Sequence, residues 1–249
     1  MSDTVNWPLL RSRWKRFSGP LSVRVGVLSL QKIFILNFHG LGEPPSSRLQ
    51  NDDLYWTDPN FFATILKTVR QRRDVLITFD DSNESDYSIA LPLLQAEKVR
   101  ARFFVVAGRV DQSGYLSRKQ IQFLSAVGMT IGSHGMYHRR WAELTDRELH
   151  EEIVDARDRI EQITGARVLE AACPFGSYDR RILRRLRASG YDRVYTSDGG
   201  PASAESWIQP RNTIARGDNL ERVLSIFTEA PVGPKAAWRQ FKLMLKRLR

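Results

Sequence analysis

Residues 74–81 read Asp74-Val75-Leu76-Ile77-Thr78-Phe79-Asp80-Asp81. A β-branched apolar run that stops at two adjacent carboxylates has the form of a buried strand ending at the rim of a core. The same form recurs along the chain. Ile33–His39 (IFILNFH), Ala101–Ala107, Met129–Ser133, Val168–Cys173 and Arg193–Thr196 read as strands, with a short one at Trp207–Ile208. Helix-period segments alternate with them. Thr57-Asp58-Pro59 opens a helix to about Arg73, with proline in the first turn, where a missing N–H costs nothing. Tyr87–Lys98 is helical, with Pro92 marking a kink or a first turn. Ser117-Arg118-Lys119-Gln120 and Thr145-Asp146-Arg147-Glu148 have the form of capping boxes, and they open helices to Val127 and to about Thr164. Arg180–Ala188 and Leu220–Thr228 complete the set.

Repeated strand–helix units imply parallel strands joined by right-handed crossovers. About seven units in 249 residues suit one closed or nearly closed α/β barrel. An open doubly wound sheet is the other architecture, and the lack of a glycine-rich phosphate loop after any strand counts against it. The expected organisation is a basic extension over residues 1–31, the barrel over 32–233 and a basic amphipathic helix over 234–249.

Composition excludes several classes. With 42% hydrophobic and 27% charged residues the chain is neither disordered nor low-complexity. No stretch approaches the roughly 18–20 uncharged apolar residues of a membrane span. The net charge of +10 sits in the two tails. Arg11, Arg13, Lys15, Arg16 and Arg24 face one acid, Asp3, and the six basic residues from Lys235 to Arg249 face none. The body between them is balanced, which argues against a nucleic-acid partner, since that needs a basic stripe on the folded surface. The last fifteen residues (KAAWRQFKLMLKRLR) place Trp238, Phe241, Leu245 and Leu248 at helical steps among basic residues. Such a helix lies in a membrane interface or packs its apolar stripe on the barrel. Cys173 is the single cysteine, so no internal disulfide forms. Ser18, Gly19, Pro20, Ser22 and Arg24 interrupt any apolar leader core, and the expected location is cytoplasmic, at the inner face of the membrane if the C-terminal helix binds there.

In an α/β barrel the ligand site lies beyond the carboxyl ends of the strands. Those ends carry His39-Gly40, Asp80-Asp81, His134 with His138, Pro174-Phe175-Gly176 and Asp198-Gly199-Gly200. Three of the four histidines thus fall on one face of the fold. Residues four apart on a helical turn share a face, so His134 and His138 reach one metal ion. One added carboxylate gives three protein ligands and an open position, the catalytic type of site. Two adjacent carboxylates repel unless a cation is near, and one of the pair is left free as a base.

At this point the sequence resembles a known family. Thr78-Phe79-Asp80-Asp81 is similar to the T-F-D-D motif of the polysaccharide deacetylases, the NodB-homology carbohydrate esterases. His134-Gly135-Met136-Tyr137-His138 resembles their H-[ST]-x-x-H motif, and Ala172-Cys173-Pro174-Phe175-Gly176 resembles their third motif. The resemblance runs from about Ile33 to Ile214. It implies a distorted (β/α)7 barrel, a carbohydrate substrate and metal-dependent removal of an acetyl group from an amino sugar, in a polysaccharide or a lipid-linked glycan. It makes Asp80 the catalytic base, and Asp81, His134 and His138 the ligands of one divalent ion, commonly zinc. Pro174 and Phe175 would border the oxyanion, with a backbone N–H from Phe175.

Three positions depart from the family pattern. Ser82 replaces the usual glycine. Gly135 replaces Ser or Thr after the first histidine and removes a hydroxyl that would brace the turn. Ala172 stands where an arginine often orients the base. Arg211, in Gln209-Pro210-Arg211-Asn212, either supplies that guanidinium from a later strand or makes a surface salt bridge. No late histidine follows His150, which leaves His39 either as the general acid or as a structural histidine. Tyr55 and Trp56 offer rings to a sugar or form part of a lid. Cys173 reads as a buried strand residue, and Asp198 as a loop or substrate contact. A catalytically inactive glycan-binding barrel and a hydrolase of a non-sugar amide stay open as alternatives. An O-acetyl ester is open to the same water attack.

Overall fold

The computed structural model describes residues 31–45, 52–228, 241, 244 and 246. Nearly all of the basic N-terminal extension and most of the C-terminal segment, Trp238, Leu245 and Leu248 included, lie outside the described residues. In chain order the elements are β1 Lys32–Phe38, β2 Gly40–Leu41, β3 Trp56–Thr57, α1 Pro59–Val69, β4 Val75–Phe79, α2 Leu91–Ala96, β5 Ala101–Val105, α3 Arg118–Ala126 and β6 Thr130–Ser133. There follow α4 Asp146–His150, α5 Ala156–Thr164, β7 Glu170–Ala172, α6 Arg180–Ala188, β8 Arg193–Thr196, β9 Ala202–Ser203, β10 Ile208–Pro210, β11 Asn212–Thr213 and α7 Leu220–Thr228.

The main sheet runs β10-β8-β7-β6-β5-β4-β1-β11, all parallel. Its two outer strands belong to one stretch of chain. Ile208–Pro210 pairs with β8, and Asn212–Thr213 pairs with β1. The stretch changes partner at Arg211, whose N–H donates to Thr196 O at 2.9 Å, while Ile214 N–H donates to Asn37 O at 2.9 Å. Counted so, seven strands form a closed ring, a distorted (β/α)7 barrel.

Alternation along the strands sorts the side chains. Ile33 and Ile35 point inward and pack with Phe104, Ala172, Tyr195 and Ala202. Leu36 and Phe38 point outward to the helices, where Phe38 meets Phe62 edge-on at 4.9 Å and stacks on Phe79 at 5.6 Å. Each such side chain, fully buried, contributes about 1.5–3 kcal/mol. The narrow interior needs small residues opposite large ones. At Gly132 a Cβ would lie 2.5 Å from the Phe104 ring.

The helix starts read from sequence form as capped ends. Asp58 Oδ1 accepts from Phe61 N at 2.9 Å, and the boxes at Ser117 and Thr145 close in both directions. Two helical segments depart from a plain α-helix. A π turn over Asp86–Ala90 leads into α2, with Pro92 in the first turn of that helix. A second π turn, Glu151–Asp155, joins α4 to α5 within the long helix expected to Thr164. The first helix ends at Val69, short of Arg73. Strands β2, β3, β9 and β11 have two residues each, too short to show a period.

Candidate active site

The carboxyl ends of the strands enclose a cavity of about 250 Å³ lined by His39, Tyr55, Asp80, Asp81, His134, His138, Arg140, Phe175, Ser197 and Thr213. Asp80 continues the inward register of β4 and is buried. Arg211, from the switch point of the closing strand, clamps it with two hydrogen bonds, Nη1 to Oδ1 at 2.7 Å and Nη2 to Oδ2 at 2.7 Å. The alternative of a surface salt bridge is therefore corrected, because the guanidinium is 1% exposed and lies inside the barrel over Phe104 at 5.2 Å. Ala172, on β7, is buried in the inward-facing cluster with Phe104 and Tyr195.

Asn37 belongs to the same network. Its Nδ2 donates to Asp80 Oδ2 at 3.1 Å, and its Oδ1 accepts from Arg211 Nη1 at 2.8 Å and from Thr78 Oγ1 at 2.7 Å. Burial opposes charge on Asp80, yet the Arg211 guanidinium outweighs it and holds the carboxyl well below the usual carboxylate range. Asp80 is thus held ionised and fixed in orientation.

Beside it, Asp81, His134 and His138 offer ligand atoms within 4.8 Å of one another. His138 Nε2 is 3.1 Å from Asp81 Oδ1, and His134 Nε2 is 3.9 Å from the same oxygen. His134 Nδ1 lies 2.9 Å from Ala172 O, which suits a proton on Nδ1 and a lone pair on Nε2. Burial pushes His138 down to about 3 against the pull of Asp81, and it lowers His134 as well. Two neutral imidazoles and a carboxylate facing one point fit a divalent cation. The expectation that the histidines share a helical turn is corrected. The segment between them is irregular, with Gly135 at φ +84° and His138 at φ +57°. His134 follows β6 directly, and its N–H donates to Val105 O at 2.7 Å.

His39 reaches the cavity from the end of β1. Its ring packs on Tyr55 at 5.0 Å, and its Nδ1 is buried with no hydrogen-bond partner among the described residues. Pro174 is buried, while Phe175, at φ +55°, stands on the rim with its ring 4.4 Å from His138 and under the Arg140 guanidinium at 4.6 Å. Trp56 is packed over Gly40, where a Cβ would lie 2.3 Å from the indole. Tyr55, and not Trp56, presents a ring to the cavity. Burial pushes the Cys173 thiol up to about 12, so it is no nucleophile at neutral pH. Asp198 is a loop contact, accepting from Tyr178 Oη at 2.6 Å, from Thr196 Oγ1 at 2.8 Å and from Lys246 Nζ at 3.0 Å. The same ammonium donates to Gly176 O at 2.7 Å, so Lys246 holds the Phe175 loop from the C-terminal side.

Sequence reading passed over Asn37, Arg109 and Arg140. Asn37 is the polar residue on the inward register of an apolar strand, a signal that alternation would have shown. Arg109 lies beyond the end of β5, and its Nη1 is 3.3 Å from Asp81 Oδ1.

The chain resembles known proteins. The polysaccharide deacetylase family matches residues 67–194. The chain is 23% identical over 188 residues to YxkH of Bacillus subtilis, spanning 70% of this chain and 67% of that one. It is 28% identical over 124 residues to the peptidoglycan-N-acetylglucosamine deacetylase of Bacillus cereus, spanning 49% of this chain and 56% of that protein. A crystal structure of a polysaccharide deacetylase from Bacillus cereus superposes with a TM-score of 0.70 at 20% identity, covering 79% of this chain and 69% of that one, a likeness of fold. With the family matched across more than half its length and the barrel closed around the motif residues, the chain belongs to the polysaccharide deacetylase family of hydrolases.

Proposed function

We propose that the chain removes the acetyl group from an N-acetylated amino sugar in a polysaccharide, in a reaction that depends on one divalent ion, zinc being the expected metal. The observation that carries this reading is the juxtaposition of a clamped, ionised Asp80 with the convergent trio Asp81, His134 and His138. The trio would hold the ion, which when bound polarises the acetyl carbonyl and lowers the pKa of a bound water. The chain's own groups do the rest. Asp80 accepts the proton of the attacking water, while Arg211 and Asn37 keep its carboxylate aimed into the cavity. The backbone N–H of Phe175, a residue of the cavity lining, stabilises the developing oxyanion. His39 delivers a proton to the departing amine. Tyr55 and Phe175 flank the cavity as apolar faces for the sugar ring.

Acetate release from N-acetylated oligosaccharides and from peptidoglycan, before and after chelation and after zinc is restored, tests the reading. Turnover that survives complete metal removal would overturn it. The proposal extends to a lipid-linked glycan at the inner face of the membrane, favoured by the exposed side chains of Phe241 and Met244 near the C-terminus. Sedimentation with anionic vesicles, for the full chain and for one lacking residues 235–249, tests that extension. Equal sedimentation would remove it.

A further inference from the structure

The loop between the two histidine ligands is held by a residue outside the catalytic motifs. Its carbonyls are tied to the turn after β5, with Ala107 N–H donating to Gly135 O at 2.9 Å and Gly108 N–H to Met136 O at 2.8 Å. Its amides point the other way, to Glu152. Met136 N–H donates to Glu152 Oε2 at 3.0 Å, and Tyr137 N–H donates to Oε1 at 3.0 Å. Each oxygen takes one more donor, Trp141 Nε1 at 3.3 Å on Oε2 and Arg139 Nε at 2.9 Å on Oε1. Glu152 is 0% exposed and sits in the π turn that joins α4 to α5. Four donors saturate a carboxylate. A buried charge so fully used is an anchor.

Its position also accounts for Gly135. A Cβ at residue 135 would lie 2.2 Å from Glu152 Oε2, and φ of +84° disfavours any side chain there. The Ser or Thr hydroxyl of the related motif therefore has no room, and the carboxylate occupies the place where it would brace the turn. The next residue but two is His138, a ligand held in the left-handed region at φ +57°. A non-glycine residue stays there only when its surroundings impose it. The two amides bound by Glu152 lie directly before that residue.

We propose that Glu152 is a positioning residue for the metal centre, setting the approach of His134 and His138 to Asp81 through the backbone between them. The proposal rests on the metal reading of those three residues. Loss of the carboxylate leaves the Met136 and Tyr137 amides and the Trp141 indole without their acceptor, while Arg139 keeps Glu148 and Glu151. The loop then relaxes and His138 Nε2 leaves its place 3.1 Å from Asp81. Partners that orient metal ligands are typically worth 10–100-fold in metal affinity.

The test is zinc affinity of the purified full chain, by competition with a chelating dye, alongside circular dichroism and thermal melting of the metal-free protein. Glu152→Gln keeps the shape but turns an NH₂ toward N–H donors. It should weaken zinc binding about 10–100-fold, and added zinc should recover much of the lost turnover. Ile153→Val, on the same turn and equally buried, should lower the melting temperature and leave zinc affinity unchanged. Gly135→Ser should weaken zinc binding in the wild-type background and less so beside Glu152→Ala, because the two residues compete for one space. A folded Glu152→Gln protein with wild-type zinc affinity overturns the proposal. Should that variant fail to fold, unaltered zinc affinity in Gly135→Ser overturns it. Absence of zinc binding in the wild type overturns the metal reading, and the proposal falls with it.

Discussion

Arg211→Met should destabilise the protein far more than a typical point substitution, and in a pH-dependent way. The Arg211 side chain is 0% exposed and that of Asp80 3%, so neither charge is screened by solvent. The guanidinium makes two of the bonds to the carboxylate and one to Asn37. Removing one partner of a buried pair strands the other charge, at a cost of about 3–5 kcal/mol. For a chain of this size that is a fall in melting temperature of about 6–20 °C. In the wild type the Asp80 carboxyl titrates below its unfolded value of about 3.9. Its contribution is complete above that value and is lost as pH falls through the lower, folded one. In the variant burial, the largest influence on Asp80, is opposed only by the Asn37 amide and the nearby histidines, and the folded value should rise above the unfolded one. The variant is then penalised most at neutral pH, and the penalty is relieved as pH falls toward about 4. Urea unfolding of the metal-free proteins at neutral and mildly acidic pH should show the gap narrow. Asp80→Asn in the same chain should recover most of the stability, since no charge is left stranded. A loss under about 1 kcal/mol, a gap that ignores pH, or no recovery in the double variant would refute the reasoning.

Other outcomes are expected. Asp80→Asn should lower turnover by ~10²–10⁴-fold with zinc content unchanged, because a carboxamide keeps the shape but accepts no proton; elemental analysis beside the assay checks both halves. His39→Gln should slow an amide substrate more than an activated ester, whose leaving group needs no proton, and equal losses would assign His39 to structure. His134→Ala should abolish zinc retention on a desalting column, and retention equal to wild type would place the metal elsewhere. Gly132→Val should lower stability by about 1–3 kcal/mol, since its Cβ would lie 2.5 Å from the Phe104 ring. An unchanged melting curve would mean that the barrel interior gives way at no cost.

Several strand ends were legible because an apolar run stops at a polar residue, as at Phe38-His39 and Phe79-Asp80-Asp81. The pairing of His134 and His138 with one carboxylate of the acidic pair followed from residue types and spacing, and the family resemblance singled out Asp81, although the loop that presents His138 is not the helical turn that spacing suggests. Backbone in the left-handed region leaves no mark in sequence beyond Gly135. Arg211 was visible as a candidate, but its inward direction depends on a strand that pairs with β8 up to Pro210 and with β1 from Asn212. Periodicity does not show such a switch. Glu152 was hidden among Glu148, Glu151 and Asp155, which read together as the wet face of a helix. The π turn and the long-range contacts to Met136 and Tyr137 separate it from its neighbours, and neither is written in local sequence.

The change of partner at Arg211 bears on the order in which the molecule assembles. The guanidinium and the carboxylate it clamps are 131 positions apart, and its contact with Asn37 spans 174. Loop-closure entropy makes such contacts late events in folding. A chain with β1 and β4–β8 already paired still lacks the cation beside Asp80, and burial then favours the neutral acid. The ring of strands is thus also a switch on the protonation of Asp80. Turnover should return during refolding only with the last strand, behind the recovery of helical signal.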